Sequence, residues 1–107
     1  MKRVPYTEMH EELVRVLRKI GFTDDRADLS ARLFAEASRD GVYSHGLNRF
    51  PRFIEYIRKG YVKIDQEAVP VKQMGALEQW DGQLGPGNLN AWACMSRAIE
   101  LAKQHGI

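Results

Sequence analysis

Ser44-His45-Gly46-Leu47-Asn48-Arg49-Phe50-Pro51-Arg52-Phe53 places a hydroxyl, an imidazole and two guanidinium groups beside a run of aromatic rings. On a helix, at roughly 100° per residue, His45, Arg49 and Arg52 share one face and Tyr56 extends it. Phe50, Phe53, Ile54 and Ile57 fall on a second, apolar face. A helix read this way buries one side and offers a proton-transfer group and two cations on the other. Histidine titrates near neutrality, which suits it to proton transfer. Arginine makes forked hydrogen bonds to carboxylates. A small anionic substrate with a carbonyl or hydroxyl group fits that pair. On spacing alone such a face is more often a solvated surface, since motif matches of this kind are hypotheses.

Pro51 sets the start of this helix, expected over residues 47–59. Proline is harmless in a first turn and disruptive deeper in. With Asn48 as N-cap, Pro51 lies in the first turn, and His45 stands just outside the helix. With Ser44 as N-cap, the helix is kinked or begins as a tighter turn. Upstream, Met9, Leu13, Val16, Leu17 and Ile20 recur at helical spacing, with Thr7 as the expected cap and Gly21 as the stop. Thr23 is expected to cap a second helix with Asp24 and Asp25 in its first turn. The alanines of that helix, Ala27, Ala31, Ala35 and Ala37, permit close approach of a neighbour. The short link Gly21-Phe22-Thr23 makes the two helices packing partners.

Downstream the pattern changes. Residues 61–68 read as a polar loop. Residues 69–74 and 77–81 read as two short extended segments around Gly75-Ala76, with Pro70 confining the first to an edge or a strand start. Gly82-Gln83-Leu84-Gly85-Pro86-Gly87 is a glycine-rich turn. It lacks the Gly-x-Gly-x-x-Gly spacing and the Lys-Ser/Thr of a P-loop, so a plain turn is expected and not a phosphate cradle. Asn88 is expected to cap a last helix reaching His105, with Leu89, Trp92, Ala93, Met95, Ile99 and Ala102 as its apolar positions. The fold class is therefore mainly α with a small β element.

Composition narrows the function classes. At 107 residues the chain has room for one domain of modest core. Its apolar content of 44% and charged content of 28% are ordinary for a globular protein. A net charge of +2 is too mild to argue for nucleic acid. The second helix also carries several carboxylates that phosphates would repel, so no nucleic-acid partner is expected. The positive charge is local: Arg49, Arg52, Arg58, Lys59 and Lys63 stand against Glu55 alone between positions 49 and 63. An anionic ligand suits such a patch. No apolar run approaches a bilayer span, and Met1-Lys2-Arg3-Val4-Pro5 lacks the apolar core of a secretory signal, so no membrane partner is expected. The single cysteine, Cys94, makes no internal disulfide and fits a cytoplasmic location. It reads as a small buried hydrophobe. His10 and His105 read as surface residues, and no metal-ligand spacing is present.

Ser44-His45-Gly46 followed by Asn48-Arg49-Phe50-Pro51-Arg52-Phe53 resembles the N-terminal region of the malate/L-lactate dehydrogenase family, the NAD(P)-dependent 2-oxoacid dehydrogenases outside the Rossmann class. With Tyr43 before it, the motif looks like the family's 2,3-diketo-L-gulonate reductase branch. Gly75-Ala76-Leu77-Glu78-Gln79-Trp80-Asp81 and Gly87-Asn88-Leu89-Asn90-Ala91 agree with it. The resemblance runs over essentially the whole chain, whereas enzymes of the family are several-fold longer. It implies a helical N-terminal domain over residues 1–66. Residues 67–107 would then be the first strands and helix of an α/β cofactor-binding domain.

By the same resemblance the full enzyme passes hydride between NADH or NADPH, NADH preferred, and a 2-oxo acid, and it is a homodimer. 2,3-Diketo-L-gulonate is the expected substrate, with malate, lactate or ureidoglycolate-type acids as alternatives. His45 matches the family's proton-transfer histidine. Ser44 would orient it or the substrate, and Arg49 and Arg52 would hold substrate oxygens, with Arg49 favoured for direct contact. The cofactor is expected to be bound by residues beyond Ile107, so no cofactor-binding residue is assigned. A non-catalytic helical interaction module is the competing reading.

Overall fold

The structure, a computed structural model, describes residues 2–107. In chain order it contains α1 (Tyr6–Ile20), α2 (Asp24–Arg39), a 3-10 turn (Tyr43–His45), α3 (Phe50–Arg58), β1 (Val69–Met74), β2 (Leu77–Asp81) and α4 (Gly87–His105). The mainly helical class with a small β element is what the sequence pattern requires. The chain forms two compact units, one ending at Tyr61 and one running Val62–Ile107. The segment after Tyr61 is tied to the second unit. Lys63 N–H donates to Leu84 O, and Gln83 Nε2 donates to Glu67 O.

In the first unit α1 and α2 pack along Leu13, Leu17, Ala27, Ala31 and Ala35, all buried. The alanines bring the helices close, as their small side chains allow. Two polar contacts bridge them at the rim: the Arg18–Asp24 ion pair at 2.8 Å and His10 Nε2 against the Asp28 carboxylate at 3.2 Å. His10 also stacks on Tyr6 at 6.1 Å, so the expectation of an unpartnered surface histidine is corrected. The missing signal was Asp28, eighteen residues away and joined to His10 only by the antiparallel packing.

Phe34 of α2 lies 5.2 Å from both Phe50 and Phe53 of α3, and Phe53 contacts Phe22. This cluster docks α3 on α2. Each buried ring removes a large apolar area from water and adds an aromatic contact.

Three helix caps differ from expectation. Pro5 and not Thr7 precedes α1, because Pro5 O already accepts from Met9 N–H. Arg49 precedes α3, one residue beyond Asn48, and Pro51 stands in the first turn, where it displaces no hydrogen bond. Pro86 precedes α4, two residues before Asn88, with Pro86 O accepting from Asn90 N–H. Thr23 does precede α2, but its side chain makes no capping hydrogen bond.

In the second unit β1 and β2 form an antiparallel pair, with a register shift between Pro70 and Lys72. Pro70, the second residue of its strand, conforms to the edge placement expected of it. Glu78 and Trp80 alternate inward along β2. The Glu78 side chain is only 4% exposed, and Arg97 of α4 clamps it, with Arg97 Nη2 to Glu78 Oε2 at 2.8 Å. Trp80 Nε1 donates to the other carboxylate oxygen at 3.0 Å.

On α4 only Leu89 and Leu101 are buried, while Trp92, Met95 and Ile99 are exposed. Its expected apolar positions are thus largely uncovered within this unit. Cys94 is half-buried, more open than expected, because it lies in a groove of about 490 Å³ between β2 and α4.

Two stability predictions follow from these contacts. Phe34→Ala removes the ring shared by Phe50 and Phe53, and a buried Phe→Ala change costs about 3–5 kcal/mol. That is a large share of a small domain's stability, so chemical denaturation of the variant should show loss of most of the first unit's cooperative transition. The second concerns pH. The Arg97 guanidinium, helped by the Trp80 indole N–H, holds the Glu78 carboxyl below its ordinary range, against the opposing effect of burial. A lowered folded pKa contributes stability above the ordinary carboxylate range, which is lost as pH falls through the folded value. Glu78→Gln should therefore lower the melting temperature by several degrees at neutral pH. The gap to wild type should shrink steadily on acidification below the ordinary carboxylate range, as measured by calorimetry across a pH series.

Candidate functional site

Residues 42–49 cross from the end of α2 to the start of α3 and carry the polar groups singled out by sequence. Asp40 follows α2, Gly41 takes a positive φ of 88°, and Val42 N–H returns to Ala37 O at 2.8 Å. The chain then makes the 3-10 turn, with His45 N–H donating to Val42 O and Gly46 N–H to Tyr43 O. Gly46 is buried although its neighbours are exposed. A Cβ there would lie 2.7 Å from Ser38 N and 2.9 Å from Ser38 Cα. Only glycine lets the turn lie this close to α2. Ser38 Oγ accepts from Leu47 N–H at 2.7 Å, and Arg49 N–H donates to Gly46 O at 2.9 Å. The turn is thus held on α2 before His45 through Val42, and after it through Gly46 and Leu47.

On this base Ser44 Oγ and His45 Nδ1 are 2.9 Å apart. The hydroxyl accepts Nδ1–H from the ring where Nδ1 is protonated and donates to Nδ1 where it is bare, since a hydroxyl does both. In either form Nε2 is left to other partners, and His45 is exposed. Arg49 Nε donates to Ser44 O at 3.3 Å, which ties the guanidinium to the same turn while leaving its charge unneutralised by that contact.

Arg52 behaves differently. It pairs with Glu55 at 3.5 Å and lies over the Tyr56 ring at 5.9 Å, both on its own helix. The single helical face expected for His45, Arg49 and Arg52 is therefore corrected. His45 stands in a 3-10 turn and not in α3, because the Phe34–Phe50–Phe53 contacts and Pro51 start the helix at Phe50. The structure joins Ser44, His45 and Arg49 by hydrogen bonds and engages Arg52 elsewhere. Ser38 was not singled out by sequence. A lone serine in the last turn of a helix carries no signal of contact with a turn nine residues on.

The glycine-rich turn of the second unit uses its polar groups internally. Gln83 N–H donates to Asp81 Oδ1, Gly85 N–H to Gly82 O, and Asn90 Nδ2 to Gly82 O. The left-handed positions are Gln83 (φ 53°) and Leu84 (φ 62°), whereas Gly85 is required for room, since a Cβ would lie 2.5 Å from Gln66 O. No group of three or more His, Cys, Asp or Glu side chains arranged to hold a metal occurs among the described residues. Nor is any described helix long and apolar enough to cross a membrane.

The malate/L-lactate dehydrogenase family model matches residues 4–107, and the chain belongs to that family. It is 47% identical over 105 residues to the 2,3-diketo-L-gulonate reductase of Salmonella heidelberg (strain SL476), covering 98% of this chain and 32% of that protein. The Salmonella typhi reductase of the same name matches equally. Among solved structures, malate dehydrogenase from Pyrococcus horikoshii OT3 superposes with a TM-score of 0.92 at 30% identity, over 98% of this chain and 30% of that one. Sulfolactate dehydrogenase from Methanocaldococcus jannaschii gives 0.87 at 30% identity, over 94% and 29%. The chain thus spans about a third of the length of its relatives, matching the expectation of an N-terminal portion.

The close fit of Gly46 on α2 is itself testable. Gly46→Ala places a methyl group against the Ser38 backbone, which has no free rotation to yield. Overpacking of this kind costs about 1–3 kcal/mol. Urea denaturation of the variant should show a loss in that range, and hydrogen exchange should place its largest effect at residues 42–47.

Proposed function

We propose that this chain supplies the proton-transfer and anion-binding residues of an NAD(P)H-dependent reductase that converts a 2-oxo acid to its 2-hydroxy acid. The observation that carries this reading is the exposed His45 ring, hydrogen-bonded at Nδ1 by Ser44 and flanked by Arg49 on the same turn. A bound nicotinamide supplies the hydride, and no residue of this chain is assigned to hold it. Reduction leaves negative charge on the former carbonyl oxygen, and an acid positioned there lowers the barrier. His45 Nε2–H donates that proton. The ring donates Nδ1–H to Ser44 Oγ and keeps that proton and that bond when Nε2 gives up its own, so it keeps one orientation through the transfer. Arg49 binds the substrate carboxylate. Arg52, drawn toward Glu55 and Tyr56, serves substrate binding less directly.

The relatives at 47% identity favour 2,3-diketo-L-gulonate as substrate, and malate, lactate or ureidoglycolate-type acids are the alternatives. NADH as reductant, a homodimer and a cytoplasmic location belong to the same reading, as does the second unit as the opening of the α/β cofactor-binding domain. The isolated chain is expected to bind no NADH.

The test is a fusion in which this chain replaces the corresponding N-terminal third of the Salmonella reductase. The fusion should reduce 2,3-diketo-L-gulonate in preference to pyruvate and oxaloacetate. His45→Asn should lower kcat by about a hundred- to ten-thousand-fold, the usual worth of general acid catalysis, with NADH affinity nearly unchanged. Arg49→Ala should instead raise KM, because it removes a charge-assisted contact made before and during the reaction. A folded His45→Asn fusion with normal kcat would leave the non-catalytic module as the better reading.

A further inference from the structure

We infer that Ser38, a residue of α2 that touches no reacting group, is the positioning residue for His45; this rests on the functional reading above. Four observations converge on it. Ser38 Oγ accepts from Leu47 N–H at 2.7 Å, two residues beyond His45. The Ser38 backbone is the surface against which Gly46, the next residue after His45, is packed too closely for any side chain. Ala37 O, one residue before Ser38, accepts from Val42 N–H at 2.8 Å and so fixes the turn's entry. Finally, the outward-facing residues of the turn, Val42, Tyr43 and Leu47, are at least 46% exposed and contribute little packing to hold it.

The turn is therefore anchored through its backbone, and Ser38 holds its exit. A short exposed turn stabilised by few buried apolar contacts opens easily. Loss of the Leu47 anchor frees the peptide that follows His45, and with it the imidazole's alignment to Ser44. Geometry held to a fraction of an ångström is what proton transfer demands. The serine hydroxyl has a further property that a larger residue lacks. It reaches the Leu47 amide without lifting Gly46 away from the helix.

The test uses the chain itself and reads His45 by NMR, so it does not depend on turnover. His10 and His105 serve as internal controls, because neither belongs to this turn. Ser38→Ala should speed Leu47 amide exchange by roughly two- to twelvefold, the worth of one net hydrogen bond. It should also shift the His45 imidazole nitrogen signals, with those of His10 and His105 unmoved. Ser38→Cys keeps a side chain of similar shape against Gly46 but offers only a weakly accepting sulfur. It should behave like Ser38→Ala. Wild-type His45 signals in either folded variant would overturn the role. Loss of folding in both would make Ser38 a stability residue and overturn it as well. The predicted NMR changes, alongside a fusion whose kcat is indifferent to His45→Asn, would leave Ser38 as the anchor of the turn and remove the catalytic reading alone.

Discussion

The contact on which the first unit depends is Phe34 against Phe50 and Phe53. It fixes where α3 begins and how α3 lies on α2. Once both helices are placed, the residues between them have little freedom. They must leave the end of α2, reverse, and enter α3 at Arg49. The 3-10 turn is what fits, and it is bound to α2 through backbone groups and Gly46. The polar residues of the turn are thereby presented outward without side chains of their own in the core. A buried aromatic cluster thus positions the exposed His45 ring, and rigid elements carry the turn.

Much of this was legible in the sequence because it rests on local rules. Helical spacing gave α1 and α2, with Gly21 as the stop of the first at φ 125°. Proline chemistry left α3 either an Asn48 cap with Pro51 in the first turn or a Ser44 cap with a kink, and put Pro70 at a strand edge or a strand start. What was not legible depends on contacts distant in sequence. The His10–Asp28 pair requires the antiparallel packing of two helices. The division between Arg49 and Arg52 requires knowing where the helix begins, since a projection that continues the helix back to His45 merges them. Caps were misplaced by one or two residues, because Thr7 and Asn88 are favoured cap types while the neighbouring prolines already supply the preceding backbone geometry. Ser38 was invisible for the same reason as His10: its partner lies on another element.

The second unit obeys a different balance. Its only strong internal tie between sheet and helix among the described ion pairs is Arg97 with Glu78. Two strands and a helix bury little apolar surface, and Met74, Leu77, Met95 and Ile99 remain at least half exposed. A two-stranded pair is marginal in water by itself. The nearly buried carboxylate is tolerable because the guanidinium and the indole satisfy both its oxygens. Removing either partner leaves a desolvated group without compensation, which is costlier than never having the pair. The unit therefore takes its internal order from a polar clamp, where the first unit takes it from aromatic packing.

This contrast bears on the role proposed for His45. A histidine that changes charge in a reaction must not drag its scaffold with it. In the first unit the scaffold is apolar and neutral where it matters: phenylalanine rings, backbone amides, and the hydroxyls of Ser38 and Ser44. None of these changes charge near neutrality, and a hydroxyl can accept Nδ1–H or donate to a bare Nδ1, so it suits any protonation state of the ring. A carboxylate in the place of Ser44 would favour the charged imidazole strongly and resist giving up its proton. Ser44 holds the ring at Nδ1 without adding a charge beside it.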